Sequence, residues 1–98
     1  MVNEGEVEYS MRFSNSADKQ MKKIKKDGGE MYEKVRSLLL EIVVSPKVGN
    51  GRPERLKYYG NRDVWSRRIN AKDRIVYEVW EDLREIAILQ ILGHYRDK

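Results

Sequence analysis

Cysteine is absent from this 98-residue chain. No disulfide framework can hold it, which agrees with a reducing cytoplasm as its compartment. With a single histidine and no cysteine, no metal-ligand spacing of the zinc kind exists. The carboxylates do not cluster as a hard cation would need, so no cofactor is expected. No apolar run approaches the roughly 20 residues of a membrane span. The acidic opening, MVNEGEVE, lacks the apolar stretch of a signal peptide. No membrane role is expected. There is no Walker sequence, and Gly49-x-Gly51 lacks the length, preceding strand and following helix of a dinucleotide fingerprint; it reads as a turn. His94 has no acidic neighbour in sequence to orient it, which removes a Ser-His-Asp triad.

What is present is one domain's worth of patterned sequence. The net charge is +4 and the pI about 9.4, a weak hint of a polyanionic partner. Its distribution says more. Between Arg52 and Arg74 lie Arg52, Arg55, Lys57, Arg62, Arg67, Arg68, Lys72 and Arg74, against Glu54, Asp63 and Asp73, a local balance of +5. A solvated basic surface and a phosphate-binding one both fit that excess.

Residues 1–6 read as a flexible extension, 7–95 as the domain and 96–98 as a tail. VEYSMRF alternates, with Val7, Tyr9, Met11 and Phe13 on one side of a half-buried strand. Ser14 or Ser16 can cap a helix on which Ala17, Met21 and Ile24 recur, opposite Lys19, Lys22, Lys23, Lys25 and Lys26. Gly28-Gly29 ends it. From about Glu30 to Val44 a second helix carries Met31, Val35, Leu38, Leu39 and Ile42 on one stripe, and Pro46 stops it. This αα-hairpin must pack on something. Short strands are expected near Glu54–Tyr58, over Val64–Ile69 and over Arg74–Trp80, the last two joined around Asn70-Ala71-Lys72-Asp73. Arg84–Leu92 gives a final strand, apolar on both faces and therefore central. The fold class is α+β: a two-helix hairpin on one face of an antiparallel sheet, in the order β-α-α-β-β-β when the short Glu54–Tyr58 segment is left out.

Three residues carry candidate chemistry. His94 is ordinarily read as a surface residue, yet its unperturbed pKa of about 6.5 suits proton transfer. Glu54, within RPERLK, is either a salt-bridged surface carboxylate or a general base whose ionised form the cations favour. Arg74 opens a strand, where the ladder fixes its direction for meeting a phosphate. Metal-free RNA cleavage needs a base for the 2′-OH, a cation for the pentacoordinate phosphorus and an acid for the departing 5′-oxygen. Glu, Arg and His suffice, though composition alone does not select that reaction. Arg67 and Arg68 lie on opposite strand faces, so one of them serves another purpose. No aromatic other than Tyr95 falls near the expected site.

GNGRPERLK, WSRRINAKDRIVYEV and the late His94-Tyr95 resemble the Txe/YoeB toxins of bacterial toxin–antitoxin pairs, within the RelE/ParE superfamily. The resemblance runs from Val7 to Tyr95 and is strongest from Gly49 to Val79. It implies a RelE-like fold and a cytoplasmic endoribonuclease that cuts messenger RNA in the ribosomal A site without metal. Glu54 would be the base, Arg74 the transition-state cation, His94 the acid, and Tyr95 a stacking or hydrogen-bonding partner. Lys57, Arg68 and Arg52 would hold RNA. The implied partners are a cognate antitoxin of the YefM/Axe kind, mRNA and the ribosome with its RNA, and a second copy of the chain. Relatives carry a second proline where Arg55 stands, and several end at the tyrosine. A ParE-like gyrase inhibitor, or a non-catalytic nucleic-acid-binding module of the same fold, is the alternative; neither needs the Glu54, Arg74, His94, Tyr95 set.

Overall fold

The computed structural model describes residues 8–91 and residue 93 of the chain. Strand β1, Ser10–Phe13, stops at Ser14, whose Oγ accepts the Ala17 N–H at 3.0 Å and caps helix α1, Asn15–Asp27. Asp18 lies in the first turn and Lys25 and Lys26 in the last, each on the favourable side of the helix dipole. Ala17 and Ile24 are buried and the five lysines exposed, as their spacing predicts. Gly28, at φ 67°, donates its N–H to the Ile24 carbonyl and closes α1. Gly29, with which helix α2, Gly29–Ile42, begins, is also at positive φ, 75°, so both glycines serve the break. Val35, Leu38, Leu39 and Ile42 form its buried stripe.

The remaining chain makes β2 (Glu54–Arg55), β3 (Val64–Arg68), β4 (Arg74–Trp80) and β5 (Glu85–Gln90). The sheet order is β1-β5-β4-β3-β2. The apolar last strand thus has neighbours on both sides, as its composition requires. The β3–β4 turn is built by Asn70, whose Oδ1 accepts the N–H groups of Lys72 and Asp73, both at 2.8 Å.

Two expectations change. The sheet is antiparallel except at one edge, where β1 runs parallel to β5. Tight turns force β3, β4 and β5 to alternate, whereas two helices and three strands separate β1 from β5, and alternation within a strand carries no information about its partner's direction. The strand expected over Glu54–Tyr58 is cut to two residues, and Lys57–Tyr59 turns into a 3₁₀ helix. Expectations for residues 1–6, Val7, Leu92 and 96–98 lie outside the described residues.

The helices cover one sheet face. Ile75, Tyr77 and Val79 of β4 and Ile86 and Ile88 of β5 pack there with Ala17, Ile24, Val35, Leu38 and Ile42. On the other face, Leu56, Val64 and Val76 make a small second cluster with Tyr59 and Leu89. The adjoining part of that open face carries Ser66, Arg68 and Arg74.

Arg67 points the other way, to the helix side, and is 0% exposed. All five of its N–H donors are used. Nε donates to Tyr77 Oη at 3.1 Å. One Nη donates to Glu41 and to the Asn50 carbonyl, the other to the carbonyls of Ser45 and Val48. Tyr77 in turn donates to the Pro46 carbonyl at 2.6 Å. One arginine thereby pins the whole 45–50 connection that delivers the chain to β2. Gly49-x-Gly51 is a turn in this connection, and a Cβ on Gly49 would run into the Glu41 carboxylate. The Asn50 backbone N–H, ahead of the Arg67 guanidinium, holds the Glu41 carboxyl below its ordinary value against the burial that would raise it.

Candidate active site

β2 lies at the sheet edge, paired only with β3, and Glu54 is the direct partner of Ser66. Side chains two apart share a face. Glu54 therefore shares the open face with Leu56, and Ser66 with Arg68. In β4 the same face carries Arg74, and the register sets Arg68 directly opposite Arg74. A cavity of about 400 Å³ opens here, lined by Glu54, Arg55, Leu56, Lys57, Tyr58, Ser66 and Arg74.

The lining divides by partner. Arg55 is turned away into structure. Its Nε donates to Asp63 Oδ1 at 3.3 Å, and its Nη2 to the carbonyls of Gly60 and Arg62. Asp63 also accepts from Trp65 Nε1 at 2.8 Å and pairs with Lys47 at 3.0 Å. Burial acts to raise the Asp63 carboxyl, but these donors outweigh it and hold the group below its ordinary value. Arg55 is thus a strut for the 60–63 turn, a role that a proline at that position could not fill. By contrast, the side chains of Glu54, Lys57, Arg68 and Arg74 make no hydrogen bond or ion pair among the described residues. A carboxylate beside cations on one cavity, none of them paired among the described residues, is a site equipped to move a proton and hold an anion.

Arg68 and Arg74 set two like charges face to face, an arrangement that costs stability in a cross-strand pair. An anion between them reverses the sign of that interaction. Arg52, held at φ 52°, an uncommon conformation outside glycine, lines a separate cavity of about 630 Å³ with Lys34, Asn50 and Arg68. Of the residues expected to act together, Glu54, Lys57 and Arg74 share one cavity. Arg68 sits beside them, and Arg52 lies in the neighbouring hollow. His94 and Tyr95 lie outside the described residues.

Two lining residues escaped sequence reasoning. Tyr58 is 67% exposed, its ring 6.0 Å from that of Tyr59 and inclined by 21°. It supplies an aromatic surface at the cavity that the sequence reading did not anticipate there, because it placed this residue in a strand rather than a 3₁₀ turn. Ser66 is 0% exposed, and its Oγ has no hydrogen-bond partner among the described residues. A buried hydroxyl left unsatisfied costs about 1–3 kcal/mol. Its two-residue offset from Arg68 was legible; its pairing with Glu54 was not.

Known proteins of the same build point one way. A curated toxin YoeB from Synechocystis is 33% identical over 67 residues, 68% of this chain and 74% of that protein. The structure of a YoeB/ParE toxin from Agrobacterium tumefaciens superposes with a TM-score of 0.78 at 30% identity, covering 88% of this chain and 99% of that one. YoeB from Staphylococcus aureus, solved as a dimer, gives a TM-score of 0.75 at 32% identity, covering 91% of this chain and 100% of that one. A YoeB–YefM complex from the same species gives 0.74 at 32% identity with the same coverage. The family of YoeB-like toxins of bacterial type II toxin–antitoxin systems matches residues 13–95. With the fold, the open sheet face and the relatives in agreement, this chain belongs to that family of toxins.

Proposed function

We propose that this toxin is an endoribonuclease that cleaves messenger RNA in the ribosomal A site without a metal ion. The observation that carries the reading is the shared cavity of Glu54, Lys57 and Arg74, in which none of the three is committed to a partner among the described residues. Glu54 takes the proton of a ribose 2′-OH. The 2′-oxygen attacks the adjacent phosphorus, and Arg74, with Lys57 beside it, meets the negative charge that builds on the non-bridging oxygens. His94 protonates the departing 5′-oxygen, and Tyr95 supports the same end of the site. The products carry a 2′,3′-cyclic phosphate and a 5′-OH. Arg68 and Arg52 grip RNA backbone outside the reacting phosphate. A gyrase-inhibiting or purely binding role has no use for a partnerless Glu54 at that position.

The partner antitoxin is of the YefM kind, as in the S. aureus complex. A flexible acidic and apolar segment of it crosses the basic sheet face and covers the cavity. The S. aureus dimer makes self-association the second expectation. Leu40, Val44, Val48, Trp80 and Leu83 are the exposed apolar side chains available for it. The site of action is the cytoplasm. The test is expression in bacteria of the wild type, Glu54→Ala and His94→Ala, with growth recorded and mRNA 5′ ends mapped. The wild type should arrest growth and create new ends inside codons being translated. Both variants should do neither. Growth arrest by both, with no new ends in any strain, overturns the nuclease reading.

A further inference from the structure

The proposed chemistry gives the buried hydroxyl that lines the cavity no task. Ser66 sits at the centre of the open sheet face, 0% exposed, with an Oγ that has no hydrogen-bond partner among the described residues. Its direct neighbour across the ladder is Glu54, which is exposed, carries a carboxylate without a partner among the described residues, and lines the same cavity. Directly paired residues on one sheet face hold their Cβ atoms about 4.5–5.5 Å apart. A serine hydroxyl can then reach a glutamate carboxylate by rotation of the glutamate alone. Of the other lining side chains, Arg55, Lys57 and Arg74 are cations that cannot accept its proton and Leu56 is apolar; the neutral Tyr58 hydroxyl is a weaker acceptor than the Glu54 carboxylate.

We infer that Ser66 is a positioning residue for Glu54: when RNA enters the cavity, the Glu54 carboxylate turns inward and accepts the Ser66 O–H. That bond fixes the rotamer of the base and favours its ionised form. One carboxylate oxygen is then held by Ser66, and the other faces the 2′-OH. Among the described residues the hydroxyl has no partner in the free protein, because Glu54 turns to it only when substrate is bound. This rests on Glu54 acting as the base.

The distinguishing property is a split between stability and activity. A serine kept for structure would destabilise the fold on truncation. A serine whose hydroxyl is unsatisfied in the free protein would not. Single-turnover cleavage of ribosome-bound mRNA should be followed across pH for the wild type, Ser66→Ala, Glu54→Gln and the double variant, with each thermal midpoint recorded. Ser66→Ala should keep or raise the midpoint, lower the plateau rate about tenfold, and move the acid limb of the profile to higher pH by about one unit, the scale of one hydrogen bond to a charged group. In the Glu54→Gln background the same substitution should change the rate little, because the two act as a unit. A Ser66→Ala rate and profile equal to wild type, beside an inactive Glu54→Gln, overturns this inference and leaves the base assignment standing. An equal loss in both backgrounds also overturns it, since Ser66 would then act without Glu54. A fully active Glu54→Gln removes the base, and the inference goes with it.

Discussion

Arg68 and Arg74 face each other directly across the β3–β4 ladder, and neither side chain has a hydrogen-bond or salt-bridge partner among the described residues. Like charges in that relation destabilise a sheet by roughly 0.2–1 kcal/mol. Arg68→Gln should therefore raise stability by a few tenths of a kcal/mol up to about 1 kcal/mol, read by urea unfolding. The same substitution should weaken ribosome binding and make its dependence on log salt shallower by about one unit, because one phosphate contact is gone. An unchanged salt slope would separate Arg68 from RNA.

Arg67 is the stability determinant of the pair. Its guanidinium serves Glu41, Tyr77 and three loop carbonyls while 0% exposed. Arg67→Ala removes the charged partner of Glu41, which keeps only its Asn50 donors, and strands the three carbonyls at once. It should cost on the order of 3–5 kcal/mol, measured by chemical denaturation. Gly49→Ala should also destabilise, since its φ of 126° disfavours a side chain and the added Cβ meets Glu41.

Acid should loosen the fold through identifiable carboxylates. Glu41, Asp63 and Glu81 are each held below their ordinary values: Glu41 first by the Asn50 N–H, Asp63 by donors that overcome its burial, and Glu81 first by the Tyr9 hydroxyl. A carboxyl depressed in the folded state contributes its full stabilisation above its unfolded value. That contribution is lost as pH falls through the folded value. Unfolding free energy should thus be flat near neutrality and fall with acidification below the ordinary carboxylate range. Glu41→Gln should flatten the fall. Denaturation curves at a series of pH values decide this, and a fall of unchanged steepness would remove Glu41 from the account.

The antitoxin prediction concerns the basic face. Co-expression of the neighbouring antitoxin gene should rescue growth. Reversing the charge at Arg52, Arg55 and Lys57 together should weaken the purified complex. Because Arg55 also braces Asp63, the triple variant must first be shown to be folded by its thermal midpoint. Undiminished affinity in a folded triple variant would put the docking surface elsewhere.

Much of this molecule was legible because local pattern determines it. The stripe Val35, Leu38, Leu39, Ile42 specifies a helix and its buried side together, and Asn70 is a turn former wherever it falls between two strand patterns. What escaped depends on partners distant in sequence. The parallel β1–β5 pairing joins residues more than seventy positions apart. Opposite faces for Arg67 and Arg68 followed from alternation, but only the helix packing decides which of them is buried. The residue beneath Glu54 could not be read either, since the intervening loop sets the β2–β3 register, and that loop is braced by Arg55 through Asp63 and the Gly60 and Arg62 carbonyls. Glu54 and Arg74 stand out as residue types suited to phosphate chemistry and Lys57 through the family resemblance; their common cavity is a property of the fold.

The central claim is that this toxin cuts RNA that the ribosome has aligned for it. Bringing reactants into a single attack geometry lowers a barrier by up to about 7–11 kcal/mol, and a ribosome that holds the A-site mRNA in one geometry supplies that alignment. The deciding measurement uses one purified protein at one salt concentration on free RNA and on the same RNA under translation, with cut positions and end groups determined. The account predicts far faster cleavage of the translated RNA, cuts in a fixed codon register, and 5′-OH with 2′,3′-cyclic phosphate ends. Equal rates on free RNA, cuts spread over all three codon positions, or 5′-phosphate ends would contradict it.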